Sequence, residues 1–130
     1  MAELTSSPAA SPDAHVMDLV VAKIKTHVLG VFAELGIADL LANGPRSAEE
    51  LAETTGTHAP SLHRLLRTLA GLHILVEPSP GVYGLTNPGN LLRSDVPGSM
   101  RGIAILFGSE FHAKAWGRLA DSVTTGEPAL

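Results

Sequence analysis

The most constraining feature of this sequence is the stretch from Ser47 to Leu75, which reads SAEELAETTGTHAPSLHRLLRTLAGLHIL. Its apolar residues recur at helical spacing on both sides of a glycine, which predicts two short helices joined by a tight turn. The next residues predict a β-hairpin, with strands at Ile74–Glu77 and Val82–Thr86 and a turn at Pro78–Gly81. Two helices followed by a hairpin are the element order of a winged helix.

Local signals predict where the two helices begin and end. Ser47 and Glu50 have the spacing of a capping box, in which each side chain pairs with a backbone N–H of the first helical turn. The second helix should begin near Pro60, since proline is favoured in a first turn, and end at Ala70 or Gly71. Its predicted buried stripe consists of Leu62, Leu65, Leu66, Leu69 and Leu72.

Further helices are predicted on both sides of this unit. One long helix should run from Asp13 to Gly36, and its apolar residues cover more than the single face that a small domain can bury. A short helix follows before Gly44, and two more apolar helices are predicted at Met100–Phe107 and Glu110–Val123. The excess apolar surface leads us to expect a homodimer.

These features define the predicted fold class as mainly α, with a winged helix-turn-helix, a small β-hairpin wing and additional dimerisation helices. Residues 1–12, MAELTSSPAASP, are small, polar and interrupted by proline, so we expect a disordered leader there. Residues 13–130 should form one helical winged-helix dimerisation domain, because 130 residues with 45% apolar and 17% charged content are typical of a single packed domain.

The charge balance argues against a nucleic-acid partner. Nine Lys and Arg against thirteen Asp and Glu give a formal charge of −4, which provides no general attraction to a polyanion. DNA-binding winged helices present basic residues on the second helix and the wing. Here the second helix carries only Arg64 and Arg67, with His58 and His63 as weak polar companions. We therefore expect this helix face to be simply solvated.

One segment carries a candidate ligand site. The residues LFGSEFHAKAW bring four ring-bearing side chains into one helical region, at Phe107, Phe111, His112 and Trp116. Such a group can form part of a core. It can also form the wall of a substrate pocket for a flat aromatic ligand, which His112 would orient through a hydrogen bond. We take these four residues as substrate-binding candidates.

Other site chemistries lack a matching pattern. The chain has no cysteine, and its six histidines lack metal-ligand spacing, so we expect no metal site. There is no glycine-rich phosphate loop and no spacing typical of a catalytic triad or carboxylate pair, so we assign no cofactor-binding or catalytic residue. The N terminus does not resemble a secretory signal and no apolar segment has membrane-spanning length, which predicts a cytoplasmic protein without a membrane partner.

Three segments together resemble a known family: VFAELGIADLLANGPRSAEELAETTGTHAPSLHRLLRTLAGLHIL, GVYGLTNPGNLLRSD and AWGRLADSVTTGEPAL. They are similar to the N-terminal part of bacterial small-molecule O-methyltransferases, which modify anthracyclines and other polyketides and are related to plant phenolic O-methyltransferases. The resemblance covers Val16 to Leu130. In that family a helical domain with a winged helix forms the homodimer, and a C-terminal Rossmann-like domain binds S-adenosylmethionine.

The resemblance assigns a role to each region. It implies that Val16–Gly36 is a dimer-forming helix, that Ser47–Leu85 is a winged helix used as a scaffold, and that Met100–Val123 contributes to the dimer and the pocket wall. The family's cofactor loop, ribose-binding acid and catalytic histidine would lie beyond Leu130. We therefore expect the Rossmann-like catalytic domain to be absent from this chain, S-adenosylmethionine to belong to the full-length protein, and this chain alone to be catalytically incompetent.

The sequence supports one leading function and leaves two alternatives. The leading hypothesis is the dimerisation and substrate-lining domain of an S-adenosylmethionine-dependent O-methyltransferase that acts on an aromatic, polyketide-like natural product. Relatives that hydroxylate or decarboxylate leave the parent reaction open. The alternatives are a winged-helix DNA-binding transcriptional regulator and an interaction module that pairs with a separate catalytic chain.

Overall fold

A computed structural model describes residues 11–129, which form eight helices and three short strands. The helices are α1 (Pro12–Glu34), α2 (Ile37–Leu40), α3 (Ala48–Thr55), α4 (Ala59–Gly71), α5 (Asn87–Asn90), α6 (Arg101–Phe107), α7 (Glu110–Gly117) and α8 (Leu119–Thr125). The strands are β1 (Arg46–Ser47), β2 (Leu75–Ser79) and β3 (Val82–Leu85). This architecture confirms the predicted mainly α fold with a helix-turn-helix and a hairpin.

The N-terminal prediction falls mostly outside the described residues, because the expected leader at residues 1–12 overlaps the structure only at its end. Ser11 caps α1 by accepting a hydrogen bond from the backbone N–H of Ala14, at 3.3 Å, and Pro12 is the first helical residue. The helix therefore begins one residue before the predicted Asp13. Although α1 is the longest helix, no helix within residues 11–129 is long and apolar enough to cross a membrane.

The helix-turn-helix forms as the local signals predict. The Ser47 hydroxyl accepts from the backbone N–H of Glu50 at 3.1 Å, and both halves of the capping box are present. Gly56 ends α3 in the left-handed conformation, with φ of 67°, which a residue with a Cβ adopts reluctantly. The predicted leucine stripe faces the core at Leu62, Leu66 and Leu69, while Leu65 and Leu72 are only partly buried.

The sheet contains one strand that sequence analysis missed. Arg46 and Ser47 pair with Tyr83 and Val82, so the strand order is β1-β3-β2 and all pairs are antiparallel. The backbone N–H of Ala48 adds a hydrogen bond to the carbonyl of Gly81 at 2.9 Å. A two-residue strand has no periodicity of its own, so only its pairing with the hairpin defines it. This pairing fixes the wing to the start of α3.

The hairpin boundaries also differ from the prediction. β2 continues through Pro78 to Ser79, and the register with β3 is irregular between Val76 and Ser79. Proline has no N–H to donate, so it is tolerated in β2 because this strand lies at the sheet edge and the irregularity falls at Pro78. The actual turn is thus shortened to Pro80 and Gly81.

Two polar side chains pack against each other in the winged-helix unit, which consists of α3, α4 and the three-stranded sheet: Tyr83 is buried and His63 is partly buried. His63 on α4 meets Tyr83 on β3 edge to face, with ring centroids 5.7 Å apart. Burial raises the pKa of Tyr83, with the nearby Glu77 carboxylate adding to the effect, so its phenol stays neutral at physiological pH. The expectation that His63 shares the solvated helix face of Arg64 and Arg67 is therefore wrong for this residue: its ring is partly buried and packs against Tyr83 of the wing.

The helices around this unit are held by a close contact between α1 and α6. A Cβ added at Gly30 would lie 2.9 Å from Cα of Gly108, and one added at Gly108 would lie equally close to Cα of Gly30. Beside this crossing, His27 Nδ1 donates to the carbonyl of Gly108 at 3.2 Å. Arg101 Nε donates to the carbonyl of Ala33 at 2.8 Å and so satisfies the end of α1. These contacts fix the position of α6 on α1.

The last helical region is broken where one continuous helix was predicted. Glu110–Val123 divides into α7 and α8 at Arg118, whose φ and ψ of −100° and 14° lie outside the helical region. Gly117 directly precedes the break, and glycine lowers helix propensity by about 1 kcal/mol relative to alanine. The break redirects the chain after Trp116.

The α1–α6 contact generates a stability prediction. We expect Gly30→Ala to lower the free energy of unfolding by about 1–3 kcal/mol, because the added methyl group meets backbone atoms that cannot move aside locally. Gly102→Ala on α6 is the control, since a Cβ there meets no described atom within 4 Å apart from its own chain neighbours and helix backbone. It should be neutral or stabilising through helix propensity. Urea unfolding followed by circular dichroism measures both, and equal effects would contradict the packing account.

Candidate aromatic groove and apolar surface

An open groove of about 450 Å³ lies between α1, the end of α6 and α7. Its lining consists of Lys23, Thr26, His27, Phe107, His112, Ala113, Trp116 and Gly117. Three of the four substrate-binding candidates are therefore brought together here, namely Phe107, His112 and Trp116. The fourth, Phe111, does not line this groove and is 62% exposed.

The three rings are arranged as a continuous wall. The ring centroids of Phe107 and His112 are 4.3 Å apart, and those of His112 and Trp116 are 6.1 Å apart. Trp116 Nε1 donates to His112 Nε2 at 3.1 Å. Because His112 Nε2 accepts this bond, the ring carries its hydrogen on Nδ1. The bond restrains both rings on α7, where they are one helical turn apart.

The opposite side of the groove comes from α1, and sequence analysis did not identify these residues. His27 donates from Nδ1 to Gly108, which leaves Nε2 as its free ring nitrogen. The Thr26 hydroxyl donates to the carbonyl of Ala22 at 3.1 Å, so towards a ligand it is free only to accept. A histidine in an apolar helix is a weak signal, and its partner lies 81 residues away in the sequence. The hydrogen bond between His27 and Gly108 forms only because α1 packs against α6.

The exposure of the rings contradicts the core interpretation within this chain. Trp116 is 61% exposed, whereas residues of the core, such as Phe32 and Leu66, are inaccessible to solvent. Aromatic side chains dominate core and interface energetics because they bury large apolar areas. Exposed in this number, they indicate a surface that is covered by a ligand or by another protein surface.

Apolar exposure is concentrated on the helices outside the winged-helix unit. We call this region the flanking-helix surface; it consists of Val16, Met17, Leu19, Val20, Ile24, Val31, Met100, Ile103, Leu106, Phe107, Phe111, Trp116, Leu119 and Val123. Among the described residues, the other large apolar side chains that are exposed are Val76 and Leu91. The winged helix thus buries its large apolar side chains wholly or partly, with Val76 as the exception, while α1 and α6–α8 leave many of theirs exposed.

A second groove, of about 390 Å³, belongs to this surface. Its lining consists of Thr26, Leu29, Ile74, Pro88, Leu91, Leu92, Met100, Ile103, Ala104 and Phe107. Thr26 is the one polar side chain in this lining, so the groove suits apolar protein side chains better than a ligand that needs orienting hydrogen bonds. Phe107 and Thr26 separate it from the first groove.

The face of α4 that a DNA-binding winged helix would use offers few basic side chains for phosphate contacts here. Arg64 and Arg67 are exposed, but Arg64 Nη2 donates to the hydroxyl of Ser61 at 3.3 Å and His63 points inward. At the wing tip, the Glu77 carboxylate accepts from the backbone N–H of Gly81 at 2.8 Å.

Within residues 11–129 no group of three metal-ligating side chains is close enough to hold a metal ion.

Comparisons with known proteins agree with this architecture. Residues 17–95 match the O-methyltransferase dimerisation domain family. A phenazine O-methyltransferase, PhzM of Lysobacter antibioticus, is 48% identical over 105 residues, which are 81% of this chain and 30% of that protein. The family match runs from within α1 to just beyond α5, and the chain belongs to the O-methyltransferase dimerisation domain family.

Two solved structures extend the comparison beyond the matched family segment. The N,N-8-amino-8-demethyl-D-riboflavin dimethyltransferase RosA of Streptomyces davawensis aligns with a TM-score of 0.86 and 38% identity, covering 92% of this chain and 36% of that one. CalO1, a methyltransferase of calicheamicin biosynthesis in its SAH-bound form, aligns with a TM-score of 0.77 and 31% identity, covering 95% and 37%. The chain therefore spans about a third of the length of these relatives.

The exposure of Trp116 generates a second prediction. We expect Trp116→Ala to change the free energy of unfolding by less than about 1 kcal/mol, because little apolar area is buried at this position within the chain. Leu66→Ala, at a fully buried position, should cost about 2–5 kcal/mol. Urea titrations at one low protein concentration compare the two variants. A loss for Trp116→Ala as large as that for Leu66→Ala would show that the indole belongs to the core.

Proposed function

We propose that this chain is the dimerisation and substrate-lining domain of an S-adenosylmethionine-dependent methyltransferase that acts on an aromatic, polyketide-like natural product. The observation that carries the proposal is the match of residues 17–95 to the O-methyltransferase dimerisation domain. The groove lined by Phe107, His112 and Trp116 supports the substrate class, and so do the phenazine and the 8-amino-8-demethyl-D-riboflavin in the names of two relatives. A cytoplasmic location, expected from the sequence, is part of the proposal.

The proposed partner of the flanking-helix surface, apart from the aromatic-groove residues Phe107 and Trp116, is a second copy of the chain. This surface is rich in large aliphatic and aromatic side chains, and α1 presents Val16, Val20 and Ile24 at roughly 60% exposure along one side. In a dimer with a twofold axis, the same surface of both copies forms the interface, so one interface buries the exposed apolar side chains of each copy. The apolar groove beside Phe107 would then receive side chains of the partner copy.

The proposed role of the aromatic groove is to position a planar substrate. Offset stacking on Phe107 and Trp116 favours a flat ring, and such aromatic pairs contribute about 0.5–1.5 kcal/mol beyond area burial. His27 Nε2 and the His112 ring supply hydrogen-bonding groups on two sides of the groove. Rates of group transfer depend on holding the acceptor in a fixed orientation, so a lining domain contributes to catalysis through positioning.

The cofactor would be held outside the described residues. Residues 11–129 contain one antiparallel sheet, whereas nucleoside cofactors in Rossmann-like folds bind at the ends of parallel strands that lead into helices. These residues therefore do not fit S-adenosylmethionine, and we route no catalytic step through them. The SAH-bound state of CalO1 supports S-adenosylmethionine as the cofactor of the full-length protein.

The homodimer is tested by placing a charge on α1. Val20→Glu should shift the chain from dimer to monomer at micromolar concentration, because a buried carboxylate without a partner is costly. Lys25→Glu introduces the same side chain at an exposed polar position of the same helix and serves as the control. Size-exclusion chromatography with light scattering measures the mass of each. Dimers of equal affinity in both variants would contradict this interface.

The proposed location of the cofactor outside residues 11–129 predicts the activity of the chain by itself. Incubated with S-adenosylmethionine and a panel of phenolic polyketides, it should yield no methylated product by mass spectrometry, because methyl transfer requires the donor to be held in line with the acceptor oxygen. A protein-free sample provides the baseline. Product above that baseline would show that the active site lies within this chain.

A further inference from the structure

The aromatic groove has an uneven charge distribution. Lys23 lines it from α1, one helical turn before His27, and its lining includes no carboxylate. No Asp or Glu of residues 11–129 lies within ion-pair distance of the Lys23 ammonium group. The acid of α7, Glu110, lies near Lys114, with 3.7 Å between their charged atoms. The groove therefore combines aromatic walls with one uncompensated positive charge.

We propose that Lys23 makes this groove selective for planar aromatic ligands that carry an anionic group, such as a carboxylate or a phenolate. The inference rests on the proposed role of the groove as a substrate wall and adds a charge preference to it. A ring stacked on Phe107 and Trp116 is held by interactions that do not depend on its charge. An anionic substituent on that ring would add an electrostatic attraction to the ammonium group of Lys23.

The environment of Lys23 favours this role over that of an ordinary surface lysine. A fully solvated ion pair contributes little, because water screens it and both side chains lose freedom. Lys23 is exposed, but it lines the groove together with Phe107 and Trp116, so a ligand that fills the groove would displace water beside it and reduce this screening. His27 lies on the same helix face as Lys23, and its free Nε2 could form a hydrogen bond with the polar substituent of the ligand.

The experiment uses the single tryptophan of the chain as a local reporter, because its indole N–H lies in the groove. We would titrate the ¹⁵N-labelled chain with 1-naphthoate and, separately, with 1-naphthamide, which has the same shape and no charge. The expected result is movement of the Trp116 indole resonance with both ligands and about fivefold tighter binding of the naphthoate at low salt. This preference should shrink as salt is raised.

Two matched variants assign the preference to one residue. Lys23→Met should reduce it to less than about twofold while 1-naphthamide binds as before, whereas Lys25→Met removes the same charge from the same helix and should retain it. Equal binding of the two ligands would overturn the charge preference and leave the groove assignment intact. Retention of the preference in Lys23→Met would likewise overturn it. If neither ligand moves the Trp116 resonance, the substrate-wall assignment fails and the preference fails with it.

Discussion

The arrangement of this domain depends on the backbone contact between Gly30 and Gly108. Two helices can cross at this distance only where neither carries a side chain, since a Cβ at either position would lie 2.9 Å from the other Cα. Gly108 ends α6, and α7 begins two residues later, so the crossing also positions Phe107 and His112 beside α1. The hydrogen bond from His27 to the carbonyl of Gly108 is possible at the same point. The groove is thus a direct consequence of a packing constraint.

The domain divides its apolar residues between two tasks. The winged-helix unit has its own core: Leu62, Leu66 and Leu69 of α4 and Tyr83 of β3 are buried, and the β1–β3 pairing holds the wing in place. The flanking helices are open, with Val20, Ile24 and Trp116 all more than half exposed. A unit with its own buried core, flanked by helices that expose apolar side chains, is the arrangement expected of a dimerisation domain. Residues 17–95 match the family of that name.

Sequence reasoning succeeded where the deciding interactions are local. The capping box at Ser47 and the leucine stripe of α4 depend on neighbours within four residues, and both are present. It failed where distant segments decide: β1 exists only through its pairing with β3, and the inward orientation of His63 depends on Tyr83. Three of the four ring-bearing candidates share a groove, whereas Lys23 and His27 line it only because α1 packs against α6, a long-range contact that the local pattern does not encode.

The central claim is that the flanking-helix surface, apart from Phe107 and Trp116 of the aromatic groove, is covered by a second copy of the chain in solution. Sedimentation equilibrium of the unmodified chain across micromolar concentrations tests it most directly, because the method reports mass without a shape assumption. The account predicts a mass of about twice the 13.5 kDa of a single chain. A mass of 13.5 kDa that does not change with concentration would contradict it, since the exposed apolar side chains of α1 would then have no partner copy.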